Sequence, residues 1–486
     1  AAGLVLLSAS SLIAQTQPPA EASAPLPAET RTAVRDLIGE VLVNGKALEY
    51  DRQLTDDVGP RLTGSANYNH AVTWALETLR GLGLSNVHTE SFTMPALWEP
   101  ETPATGSITT PRTQTLHIYS MGWSPSTPPG GVTGEVFYLP TIGAADTFKD
   151  RIAGHIVLID NDTLGRGAGI AALVRDVAHV VEQKPLAVLM VGTTNGAEVA
   201  DCLLYDGNIS PVPGAQIGQE DDLLVRRLLQ RGPVTIHFSM TNRTRPATEV
   251  QNVVAEIAGR ELPGHTVLVG GHLDSWHPGT GAQDNGTGVA TVLDVARSVM
   301  ALGRPPRRTL RFVLFGGEEQ GLFGSAGYVQ QHRNEMATID AVLISDTGAQ
   351  PARGWYLMAR EDQRPYLDPV EPLLAGLGAN QLTADNVFLF ETDHAGFDVL
   401  GVPTLVLWND TDKYFRLHHQ ASDTFDSVVP ADLAQGVATT AATAYAIADL
   451  PHPYAPHLTQ QQMLDRIRDD NQLENYQAVQ AVKWVP

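Results

Sequence analysis

Thr266-Val267-Leu268-Val269-Gly270 runs into Gly271-His272-Leu273-Asp274-Ser275-Trp276, an apolar stretch that ends on polar side chains. A short apolar run bounded by glycine is the pattern of a strand buried on both faces, as in a parallel sheet. The pattern recurs downstream. Leu310-Arg311-Phe312-Val313-Leu314-Phe315 leads into Gly316-Gly317-Glu318-Glu319, and Ala341-Val342-Leu343-Ile344 leads into Ser345-Asp346. A fourth run, Val402 to Trp408, carries Pro403 where a strand should begin. Between the first two, Val289, Val292, Leu293 and Ala296 share one helix face. Strands therefore alternate with helices from Asn252 to about Leu450. The expected fold class is α/β, a mainly parallel mixed sheet sandwiched by helices.

In such a sheet, sites form beyond the carboxyl ends of the strands. His272, Glu318-Glu319 and Asp346 each follow an apolar strand, so they should converge on one edge. Asp284, in Gly281-Ala282-Gln283-Asp284-Asn285-Gly286, and His419, in His418-His419-Gln420-Ala421-Ser422-Asp423-Thr424, complete the set. Two histidines and three carboxylates suffice for two adjacent zinc ions sharing one carboxylate, with one Glu left as a base for activating water. Asp274 lies two residues past His272 and projects the same way, so its carboxylate is expected to accept the imidazole's other N–H. His277 and His418 read as outer or solvent histidines, and Asp393-His394 as caps of the helix that follows.

Organisation elsewhere is coarser. Residues 1–30 read as a leader and disordered start, with an apolar stretch to Ala14 that suits a secretory signal, so a periplasmic or secreted location is expected. Residues 31–112 and 246–455 read as the catalytic domain. A helix is expected over Asn69–Leu79, preceded by the turn-rich Gly59-Pro60-Arg61-Leu62-Thr63-Gly64-Ser65 and followed by a strand over Asn86–Phe92. Residues 113–245, with short β-rich runs and no ligand spacing, read as an insertion that shapes access. Residues 456–486 read as a C-terminal tail, a surface helix with a loose end.

The 486 residues require more than one domain, and 43% hydrophobic content is that of a protein with a sizeable core. A net charge of −22 argues against nucleic acid and anionic membranes as partners. Cys202 is the single cysteine, which excludes an intrachain disulfide and a multi-thiolate metal site.

These residues resemble the zinc exopeptidases that include bacterial leucyl aminopeptidases, glutamate carboxypeptidase and carboxypeptidase Q. The resemblance includes the loop at 59–65, an insertion like a protease-associated domain, and Asn252 to Asp426. Within that family the chain is most similar to carboxypeptidase Q-like bacterial members, through His272-Leu273-Asp274-Ser275-Trp276 and Asp412-Lys413-Tyr414-Phe415 leading to His418-His419. The resemblance implies two zinc ions per chain, one held by His272, Asp284 and Asp346, the other by Glu319, His419 and the same Asp284. It further implies Glu318 as general base, and it selects His419 over His418 by the position of Asp423. The expected substrates are dipeptides and other short peptides. No membrane anchor is expected, and a homodimer is left open. Two alternatives share the fold: an acyltransferase of the glutaminyl cyclase kind, and a non-catalytic binding module.

Overall fold

A computed structural model describes residues 23–160, 163, 172–192, 201–385 and 390–486. The leader through Ala14 lies outside these residues. Two long strands, β1 (Ser85–Thr110) and β2 (Thr235–Ile257), pair antiparallel from Ser85 opposite Glu256 to Thr110 opposite Thr235. The predicted apolar runs become β3 (Leu262–His272), β4 (Arg308–Phe315), β5 (Ile339–Ile344) and β7 (Thr404–Asn409), with β6 (Ala352–Tyr356) between the last two in sequence. Their spatial order is β6-β7-β5-β3-β4-β2. β7, β5, β3 and β4 are mutually parallel, while β6 runs antiparallel to β7 and β2 antiparallel to β4. Strand β7 starts at Thr404, one residue after Pro403, which has no N–H to donate but whose carbonyl accepts the Val342 N–H of β5 at 2.9 Å.

Helices cover both faces, as the alternation of side chains along β3 requires. Val267 and Val269 share a core with α1 (Ala28–Asn44), α2 (Ala66–Gly81), α3 (Thr287–Leu302) and, further along, α6 (Pro430–Ala448). Leu268 faces the other way, into a cluster with Tyr328 of α4 (Phe323–Gln331) and Phe397 of α5 (Ala395–Val399). Helix α6 is buried on every side from Gly436 to Ala448, the situation its nearly uniform Ala, Thr and Val content allows.

The parallel register positions the site. Phe315 lies opposite His272 and Ile344 opposite Gly270, so the loops carrying Glu318-Glu319 and Asp346 leave the sheet level with His272.

Residues 113–245 add a second run of strands: β2 pairs with Val132–Tyr138, then Ile156–Ile159, Ala187–Val191, Gly214–Ile217 and Ile118–Ser120 follow in space. Ile156, Leu158 and Leu189 pack on one face of it, Val157, Ile159 and Val188 on the other. Strand β1 is far longer than the expected Asn86–Phe92, and β2 passes through position 245 without interruption. Pro95 and Pro100 would break an inner strand; β1 keeps its register past Pro95 and absorbs Pro100 with two register shifts between Pro100 and Thr105. The C-terminal residues also differ from expectation. They form α7 (Gln460–Asp469) and α8 (Leu473–Ala481), and Trp484 and Val485 beyond them are buried rather than loose.

Helix α2 starts where the sequence offers a cap: the Ser65 hydroxyl accepts the Tyr68 N–H at 3.1 Å. Ser65→Ala is expected to cost about 1 kcal/mol. A chemical-denaturation midpoint indistinguishable from wild type would show that the cap contributes nothing.

Candidate active site

Every predicted ligand residue reaches the same edge. His272 closes β3. Its Nδ1 lies 3.0 Å from the carbonyl oxygen of Asp274, to which only an N–H can donate, so Nε2 is the free nitrogen of the neutral ring. That Nε2 lies 3.2 Å from Asp284 Oδ1 and 3.0 Å from Asp346 Oδ1. Asp284 turns its other oxygen the opposite way, with Oδ2 3.4 Å from His418 Nε2 and 3.5 Å from His419 Nε2. His419 Nε2 also reaches Glu319 Oε2 at 2.9 Å. Glu318 Oε2 stays 4.0 Å from His272 Nε2, outside these close pairs.

The expectation for Asp274 needs correction. Its Oδ1 is 3.7 Å from His272 Nδ1, too far for a hydrogen bond, because the backbone carbonyl already fills that position. The carboxylate instead accepts the Thr63 hydroxyl at 2.8 Å and the N–H groups of Glu319 and Glu318 at 3.3 and 3.4 Å. Asp274 thus ties the end of β3 to the loop after β4. Asp393 and His394 depart from expectation in part: both are fully buried, and His394 takes the N-cap position of α5 without a side-chain cap hydrogen bond. The Thr392 hydroxyl beside them accepts the Asp393 N–H at 2.7 Å. His277 faces residues 113–245, where its backbone carbonyl accepts the Tyr119 hydroxyl at 2.7 Å.

Two supports stand out that the sequence did not single out by role. The Arg61 guanidinium, wholly buried, donates to the carbonyls of Leu273, Thr280, Gly281 and Gly59 at 2.8, 2.6, 2.9 and 3.2 Å. It fixes the segments that carry Asp274 and Asp284 with one rigid fork. Asp423 accepts the backbone N–H groups of Gln283 and Asp284 at 2.7 and 3.0 Å and so clamps the central carboxylate's own backbone.

The donor set fits metal ions. Among the described residues, His272, Asp284 and Asp346 hold three ligand atoms within 4.8 Å of one another, as do Asp284, His418 and His419, with Asp284 common to both groups. Asp284 Oδ2 and Glu319 Oε1 are buried without any hydrogen-bond donor. Electrostatics agree. Burial raises the Glu318 carboxyl well above its ordinary value although His272 opposes the shift, and burial with the Asp284 charge lifts Glu319 to about 8. Burial alone would lower His419, but Glu319 outweighs it and brings the imidazole up to about 9. His418, stacked on His419 at 3.7 Å, is pushed down to about 3 by burial and by its charged neighbour. Only His419 touches both Glu319 and Asp284, which favours it over His418 as the second histidine.

The cluster opens on a cavity of about 180 Å³ lined also by Tyr205, Leu322, Tyr414, Phe415 and Trp484, with Glu391 and Thr392. No Lys or Arg is among its described lining residues.

Histidines and carboxylates gathered on the carboxyl edge of a mixed sheet, with one spare carboxylate beside them, define a metal-dependent hydrolase. Residues 252–445 match the model of peptidase family M28. Carboxypeptidase Q of Mus musculus is 32% identical over 407 residues, which cover 82% of this chain and 84% of that protein. The crystal structure of a peptidase M28 precursor from Shewanella amazonensis SB2B superposes with a TM-score of 0.78 at 28% identity, over 88% of this chain and 99% of that one. A zinc aminopeptidase from Bacillus subtilis shares the fold, with a TM-score of 0.65 at 21% identity over 85% and 97% of the two chains. The chain belongs to peptidase family M28, and it is a metallo-exopeptidase.

Asp423→Asn keeps the shape of the clamp but replaces one acceptor oxygen by an amide that repels the N–H it faces. Zinc affinity, measured by calorimetric titration, is expected to fall about 10–100-fold. Unchanged affinity would mean that Asp284 needs no such support.

Proposed function

We propose that this enzyme holds two zinc ions, one at His272, Asp284 and Asp346 and one at Asp284, Glu319 and His419, and removes single residues from dipeptides and other short peptides. The observation that carries this reading is Asp284, whose two oxygens face different histidines at 3.2 Å and 3.5 Å. Zinc bound at such a centre acidifies a water molecule and polarises the scissile carbonyl.

Glu318 lines the cavity outside both proposed ligand sets, 4.0 Å from His272 Nε2. Its raised affinity for protons suits it to take one from the attacking water and return it to the leaving amine nitrogen. Asp274 holds the backbone of Glu318 and Glu319 and so fixes where that proton is carried. The small cavity admits a short peptide end and excludes a folded chain.

Selectivity for one terminus follows from the lining. Glu391 is a cavity carboxylate outside the proposed ligands. Its side chain is open to solvent at the mouth, yet the protein around it pushes the carboxyl up to about 7. A free amine pairs with such a group, whereas a free carboxylate would find no cationic side chain among the described lining residues. The reading is therefore aminopeptidase-like. Export to a periplasm or beyond is supported by the composition of the leader. Among the described residues no helix is long and apolar enough to cross a membrane.

Glu318→Gln is expected to keep two zinc ions per chain and lose about 10²–10⁴-fold in kcat; near wild-type turnover would exclude Glu318 as the base. Asp284→Asn should weaken both metals together, and elemental analysis finding one zinc fully retained would exclude the shared ligand. N-acetylation of a good dipeptide should abolish cleavage while C-amidation leaves it. The reverse pattern would place recognition at the carboxylate, and rapid cutting inside long, doubly blocked peptides would end the exopeptidase reading.

A further inference from the structure

Trp484 lies beyond α8, far in sequence from every proposed ligand, yet it forms part of the cavity wall beside Glu318 and Glu319. Two separate parts of the chain hold its ring. A Cβ built on Gly321 would fall 2.0 Å from Trp484 Nε1, so the indole lies against bare backbone in the turn that follows Glu319. Gly321 has φ +126°, a conformation that also favours glycine. From residues 113–245, the carbonyl of Tyr205 accepts the indole N–H at 2.8 Å, and the Tyr205 ring meets the indole edge-on with centroids 5.7 Å apart. Helix α8 is anchored in turn, through an ion pair of Glu474 with Arg175 and through Tyr476 against Phe390 at 6.0 Å.

A buried, hydrogen-bonded indole cannot swing aside as a free surface Trp could. With Leu322 and Tyr205 it gives the cavity a rigid apolar wall next to the base, and Tyr414 and Phe415 supply the rest of the apolar lining. Phe415 is half exposed although aromatic, as a surface that meets a ligand would be. An anionic substrate side chain in such a space would be desolvated with no Lys or Arg among the described lining residues to pair with it.

We propose that Trp484, fixed by Tyr205 and Gly321, sets the largest substrate side chain this enzyme accepts, and that the same wall disfavours acidic side chains next to the scissile bond. This rests on the peptide-hydrolysing reading above. The segment after α7 is then a specificity element.

The test compares wild type with Trp484→Ala and Trp484→Phe on dipeptides Xaa-Ala, where Xaa is Ala, Leu, Phe, Trp or Glu. For Trp484→Ala the ratio of kcat/KM for Trp-Ala to that for Ala-Ala should rise by about tenfold, and Trp484→Phe should move it in the same direction by less. Glu-Ala should be the poorest substrate of wild type. Calorimetric binding of free tryptophan against free alanine, which needs no turnover, should shift in the same sense. Ratios within twofold of wild type in folded, zinc-replete variants would overturn the proposal, as would a wild type that prefers Glu-Ala. If Trp484→Ala fails to fold, Trp484→Phe carries the comparison. If wild type cleaves none of these dipeptides, the peptide reading fails, and the calorimetric ratio alone judges the wall.

Discussion

Asp284, Glu318, Glu319 and Asp346 crowd against one another beneath the protein surface, and the rest of the catalytic half is arranged to tolerate that. Two like charges 4 Å apart repel by about 4 kcal/mol at an effective dielectric near 20. Burial adds a desolvation cost for each carboxylate, which is why Glu319 and Glu318 hold their protons so strongly. The histidines relieve only part of the crowding: against burial, Glu319 brings His419 up to about 9, while the buried Arg61 guanidinium spends its donors on backbone carbonyls. The molecule instead positions the carboxylates rigidly through main-chain contacts, and a metal cation is the partner that the unsatisfied oxygens Asp284 Oδ2 and Glu319 Oε1 lack.

Rigidity comes from the sheet. Parallel strands in fixed register deliver His272, the Glu318-Glu319 turn and Asp346 to one level, and side-chain contacts then tie this edge sideways. Asp274 joins β3 to the turn after β4, and Asp423 holds the backbone before α3. Closure of the cavity uses different parts: Tyr205 reaches in from the region carried by the β1–β2 ribbon, and Trp484 from the C-terminal helices. Chemistry thus sits on the sheet edge while the shape of the cavity is set by elements packed over it.

Those two layers differ in how far the sequence reveals them. A run such as Leu310 to Phe315 is apolar for reasons local to itself, so its strand and the residues just after it are legible from periodicity. The role of Asp274 was only half legible, because whether its carboxylate or its carbonyl meets His272 depends on the turn's backbone angles. The length of β1 was hidden by Pro95 and Pro100, residues that forbid an inner strand but not a bulged ribbon. Trp484 could not be read at all. Its burial depends on the absence of a side chain at Gly321, more than a hundred residues earlier, and no local pattern records such a contact.

His419 shows where local rules yield. It is a non-glycine residue at φ +60°, a conformation that costs about 1–3 kcal/mol. The following loop pays that back through contacts: Asp423 N–H donates to Gln420 O, and the His419 ring meets Trp276 edge-on at 6.0 Å. An ordinary backbone would send successive side chains apart. With the left-handed turn, His418 and His419 stack and both direct Nε2 toward Asp284, while His419 alone also meets Glu319. A strained residue held by its surroundings at the centre of a donor cluster is where function overrides local preference. The choice of His419 over His418 is therefore a matter of geometry as well as of position in a motif.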